Sequence, residues 1–151
     1  MPVTRALRRL LRIREVEEQQ SLQALERTMA ELHRLRQALA AASGRERRGR
    51  MLVSESAQTG EAVSRHAGIE ESKLAVRQAG ALQSWIDEME MEATERRQVF
   101  LSRRIERRQA ETLLEEAAAR NAAESARRAQ QALDEWHRSR SQATAGPRRS
   151  D

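Results

Sequence analysis

The sequence predicts an all-α protein, a long antiparallel two-helix coiled-coil hairpin. Three observations carry this expectation. Leu25, Leu32 and Leu39 recur every seven residues, with Leu22 and Met29 beside them at the same spacing. An apolar stripe with that period on a charged helix needs a partner stripe to bury it. Charged residues make up 34% of the 151 and aromatic residues 2%, which leaves few large side chains for a compact core. Abundant Ala, Glu, Leu and Arg with a seven-residue period is the composition of long helices and coiled coils. A second stripe appears in the later half of the chain, so the two can pair within one molecule.

The first helix is expected over about 4–58. Thr4 can cap its start through its hydroxyl oxygen, and no Pro or Gly interrupts the chain from there to Ala42. Arg5, Arg8, Arg9, Arg12 and Arg14 occupy the first turns, ahead of Glu15, Glu17 and Glu18. That order opposes the helix dipole, which favours acids at the N-terminal end. Basic first turns therefore point to a use outside the helix itself. Gly44 and Gly49 mark a weaker stretch, because each costs a helix up to about 1 kcal/mol relative to Ala.

The turn is expected over about 59–69. Residues 54–68 are poor in large apolar side chains and hold Gly60 and Gly68. The second helix is expected over about 70–143. Ile86, Ala93 and Phe100 share one heptad line, and Leu82 and Met89 the adjacent one. The stripe resumes at Leu114 and proceeds through Ala118, Ala122, Ala126, Ala129, Leu133 and Trp136. The step of four from Ala118 to Ala122 is a stutter, which locally relaxes a supercoil. Residues 144–151, with Gly146 and Pro147, are expected to form a flexible tail.

A reversal near residue 70 sets Leu7 opposite Leu133, Leu25 opposite Leu114, Leu39 opposite Phe100 and Met51 opposite Met89. This register gathers Arg5, Arg8, Arg9 and Arg12 with Trp136 and Arg138 at one basic end. The competing architecture is a generic scaffold, a parallel homodimer of one continuous helix.

The composition argues against several function classes. Cysteine is absent, so there is no thiol nucleophile and no disulfide framework. Of the 28 basic side chains only Lys73 is not arginine, and the formal net charge is +5. His33, His66 and His137 are scattered and lack metal-ligand spacing. Neither a Gly-rich phosphate loop nor a nucleophile elbow is present. A non-enzymatic protein without cofactor or metal is expected. The arginine groups at 45–50 and 103–108 could meet phosphate, which makes an Arg-rich nucleic-acid-binding helix the third reading. Glutamates interleave both groups and no aromatic platform accompanies them, so nucleic acid is not expected. No secretory signal is expected, because arginines interrupt the first apolar residues. No stretch reaches the roughly 20 apolar residues that span a bilayer.

The N-terminal run LRRLLRIREVEEQQ, the paired long-helix pattern and the stretch RRAQQALDEWHRSR at 127–140 together resemble the FliJ/YscO family. Its members are central stalk proteins of flagellar and virulence type III secretion systems. The resemblance covers nearly the whole chain, and an Arg- and Ala-rich sequence without N-terminal aromatics leans to the virulence branch. It implies a cytoplasmic, monomeric hairpin at the cytoplasmic face of a membrane-embedded secretion apparatus, reached through protein contacts. It implies insertion of the basic end into a hexameric secretion ATPase through Arg5, Arg8, Arg9, Arg12, Trp136 and Arg138. It further implies contact with an export gate protein and secretion chaperones nearer the tip, around Arg77, Trp85 and Met89.

Overall fold

The computed structural model of the protein describes residues 2–146. Two helices account for nearly all of them: α1 (Pro2–Thr59) and α2 (Ala62–Thr144). They run antiparallel and pack together as an all-α hairpin, so the chain reverses on itself and is not one continuous helix. α1 begins at Pro2, and proline suits the first helical position because the N–H it lacks there has no intrahelical acceptor. Thr4 is consequently inside the helix and does not cap it. Of the expected tail, residues 147–151 lie outside the described residues.

The reversal occupies Gly60 and Glu61 alone, which corrects the turn expected over 59–69. Gly60 has φ +75° and its N–H donates to the Ser56 carbonyl at 2.8 Å. This is the left-handed helix stop that glycine adopts without a Cβ penalty. Glu61 then opens α2, its carbonyl accepting the Arg65 N–H at 3.2 Å. The Ser64 hydroxyl donates to the Glu61 carboxylate at 2.9 Å. Residues 62–69, expected in the turn, are the first two turns of α2.

Contacts group the chain into two units. The first is Val16–Arg104. Leu32, Leu35 and Ile86 are its buried centre, with Leu39, Leu82 and Met89 packed against them. Burying a side chain of this size contributes about 1.5–3 kcal/mol. The same register is held at the surface by Arg36 to Glu90 at 2.9 Å and Arg103 to Glu17 at 3.5 Å. Leu39 therefore meets Leu82, not Phe100, and Met89 packs on the leucine cluster, not on Met51.

Nearer the reversal the seam becomes small. Ala42, Gly49 and Ser56 are buried at seven-residue spacing on α1, as are Gly68 and Ala75 on α2. A Cβ at Gly49 would lie 2.8 Å from the Gly68 carbonyl oxygen, and one at Gly68 would lie 2.7 Å from that of Gly49. The two backbones touch there, which only glycine permits on both sides. Gly49 and Gly68 are thus packing residues, although their helix-weakening propensity is what stands out in the sequence.

The second unit combines the chain up to Glu15 with the chain from Ile105. Ala110 and Ala117 are buried in it, and Leu7, Leu10, Leu11 and Leu114 are half-buried. Arg14 pairs with Glu106 at 2.8 Å. Asn121 Nδ2 donates to the buried Thr4 hydroxyl at 3.1 Å. Thr4 thus lies against Asn121, and the expected match of Leu7 with Leu133 does not form. Every described residue after Asn121 is exposed.

Candidate partner-binding surface

The register moves the site. Because Thr4, near the start of α1, lies beside Asn121, residues 122–144 of α2 continue past it and none of them is buried against another described residue. At 1.5 Å per residue this overhang is roughly 35 Å long. Leu133 is 52% exposed and Trp136 53% exposed on it. Trp136 is therefore displaced along α2 from the four arginines, by roughly 25 Å from Arg5 and roughly 35 Å from Arg12 at the same rise. The expected single cluster resolves into a basic patch on α1 and a separate aromatic station on the overhang.

On α1, Arg5, Arg8, Arg9 and Arg12 line one open surface hollow with Ala6. All four are exposed, and none makes an ion pair among the described residues. Arg14, two residues further on, is tied to Glu106 instead. Spacings of three and four residues put the four free guanidinium groups on neighbouring parts of the helix surface. They form a concentrated positive site, largely uncompensated, which attracts an acidic surface.

On the overhang, the Arg140 guanidinium lies over the Trp136 ring, 5.2 Å from its centroid. His137 meets the same ring edge-on, with centroids 5.0 Å apart. Arg138 and Arg127 are exposed and make no ion pair among the described residues; Arg140 is exposed as well and makes none beyond its contact with Trp136. Arg128 is held by Glu124 at 2.6 Å.

The candidates expected toward the tip belong to the other unit and separate by role. Arg77 is exposed and lines a shallow surface with Glu70, Ser72, Lys73 and Val76. Trp85 is 59% exposed and takes no part in the seam. Met89 is half-buried against the leucine cluster and holds the helices together. Among the described residues, no group of three or more His, Asp or Glu side chains could hold a metal ion. No helix among them is long and apolar enough to cross a membrane.

One feature escaped the sequence reading. The run Ala118, Ala122, Ala126, Ala129, Leu133, Trp136 reads as one seam facing α1. In the structure the α1-facing line is Ala110, Leu114, Ala117 and Asn121, and it stops there. The residues beyond belong to a different side of α2. The stutter marks this change of face in the sequence, and so does the placement of charge beyond it. No family model matches the chain, and no curated protein or solved structure matches it.

Proposed function

We propose that the protein is the non-enzymatic central stalk of a type III secretion ATPase complex, of the FliJ/YscO kind. The observation that carries this reading is the end where α1 begins. Four unpaired arginines sit there beside a single helix that projects onward with Leu133 and Trp136 uncovered. A lone helix carrying exposed apolar groups, with a positive patch at its base, suits insertion into a ring with an acidic rim. In this reading the overhang enters the hexameric ATPase, and Arg5, Arg8, Arg9 and Arg12 seat against its subunits. Arg77 and Trp85, exposed in the other unit, face the export gate or secretion chaperones. The assembly works at the cytoplasmic face of the membrane, in a flagellar or virulence system.

The test mixes the protein with the hexameric secretion ATPase of the same organism and measures binding and hydrolysis. Stimulated hydrolysis that disappears when the four arginines are changed to glutamate supports the stalk. Absence of both binding and stimulation with the unaltered protein defeats it.

A further inference from the structure

The overhang carries a face with unusual charge discipline. Take Ala119, Ala126 and Leu133 as one heptad line and Ala122, Ala129 and Trp136 as the next. From residue 119 to 139, every residue on these lines and on the two lines flanking them is uncharged. The flanking residues are Ala123, Ser125, Gln130, Ala132, His137 and Ser139. All charges in the segment, including Arg127, Arg128, Asp134 and Glu135, fall on the remaining three lines. With charges kept off the seam and off both lines beside it, another helix can pack closely there without burying a charge. All of these residues are exposed, and the face lies on a different side of α2 from the one that meets α1.

We propose that this face binds a second copy of the chain, with two α2 segments pairing antiparallel about a twofold axis near Arg127 and Arg128. Antiparallel pairing sets the first line of one helix against the second line of its partner. The register follows from size and charge. Leu133 sits against Ala122 of the second copy, Trp136 against its Ala119, and Ala126 against its Ala129. Each large side chain meets a small one, which lets the backbones approach without leaving a void. Continuing outward, Arg140 meets Glu115 of the second copy. Neither residue has an ion-pair partner among the described residues of the single chain. Sliding by one heptad in one direction sets Leu133 against Glu115; in the other, it sets Arg140 against Ala122. Parallel pairing in register would stack Arg140 on Arg140 and Glu115 on Glu115. Only the stated antiparallel register satisfies both the apolar and the charged positions. A twofold contact is self-complementary, so the same residues serve both copies. The pairing covers the Leu133 and Trp136 that the stalk reading leaves for the ring, so the dimer is the form of the free chain and the two copies part before a ring is entered. Its test contains no ATPase and does not depend on the stalk reading.

The experiment uses the full chain with cysteines introduced in pairs. Ala122→Cys with Leu133→Cys in one chain should give a disulfide-linked dimer under mild oxidation. The two cysteines are roughly 16 Å apart along one helix and cannot join each other. Either cysteine alone should not crosslink, because each faces the other position of the partner. Light scattering of the unaltered protein should show a dimer. Glu115→Arg should weaken it about tenfold, roughly the loss of a charge-assisted contact, and adding Arg140→Glu should restore it. Leu133→Glu should give a monomer of unchanged helix content, since that side chain is exposed on α2 and lies beyond the part of it that meets α1. The proposal is overturned by a monomer at every concentration with no crosslink in the double variant. It is equally overturned if single cysteines crosslink as well as the pair does, which marks a parallel or unspecific contact.

Discussion

A methyl group at Gly49 or Gly68 meets backbone, not a side-chain tip that could swing away. Gly49→Ala would bring a carbon to 2.8 Å from the Gly68 carbonyl oxygen and 2.9 Å from the Ser72 nitrogen. The helices would have to separate, and overpacking of this kind costs about 1–3 kcal/mol. Gly44 and Gly80 are also inside helices, but a Cβ there has nothing within 4 Å. Gly44→Ala and Gly80→Ala should therefore stabilise by about 0.5–1 kcal/mol each through helix propensity. Urea denaturation of these three variants and of Gly68→Ala checks the prediction; equal effects at all four would contradict the close approach. Ile86 gives the complementary case. It is 3% exposed between Leu32 and Leu35, so Ile86→Ala should cost about 2–4 kcal/mol. Leu133→Ala, on the overhang, should cost a single chain almost nothing by the same measurement.

Along each helix, the pattern of large residues was legible and the pattern of small ones was not. Leu25, Leu32 and Leu39 announce a helix that needs a partner, and Ile86, Leu82 and Met89 announce where the partner lies. The register between them is harder to read. A stripe that repeats every seven residues finds apolar matches in more than one alignment, so the period alone does not separate Leu39 opposite Phe100 from Leu39 opposite Leu82. What decides between them is the small side of the seam: Ala42, Gly49 and Ser56 against Gly68 and Ala75. Helix propensity reads those glycines as breakers, and only Gly60 among them takes a positive φ. The same shift separated Trp136 from the basic first turns, which the sequence had placed together. Crosslinking tests the corrected register. Leu39→Cys with Leu82→Cys should close an intramolecular disulfide, whereas Leu39→Cys with Phe100→Cys should not. The overhang offers a second check. A chain ending at Asn121 should melt within a few degrees of the full chain in dilute solution, because every residue of 122–144 is exposed.

At the level of the whole molecule, basic charge divides into neutralised and free groups. Arg14, Arg36 and Arg103 are paired across the hairpin. Exposed pairs of this kind contribute only about 0–1 kcal/mol each, so they tune register more than stability. Arg5, Arg8, Arg9 and Arg12 have no such partners. Binding to an acidic ring partner should therefore weaken steeply with added salt, since such steering is screened within about 10 Å at 0.1 M ionic strength. Arg77→Glu should leave that affinity unchanged while the four-arginine reversal abolishes it. A titration by isothermal calorimetry at two salt concentrations separates these outcomes. The two-residue reversal has one more consequence, for how such a chain can change over evolutionary time. A heptad inserted into α1 alone would break the Leu39–Leu82 match or the Thr4–Asn121 contact unless α2 gained a heptad at the matching depth. Length can vary without that compensation only beyond Asn121. Natural variants should therefore lengthen or shorten α1 and α2 together between Thr4 and Asn121, and change α2 alone only past Asn121.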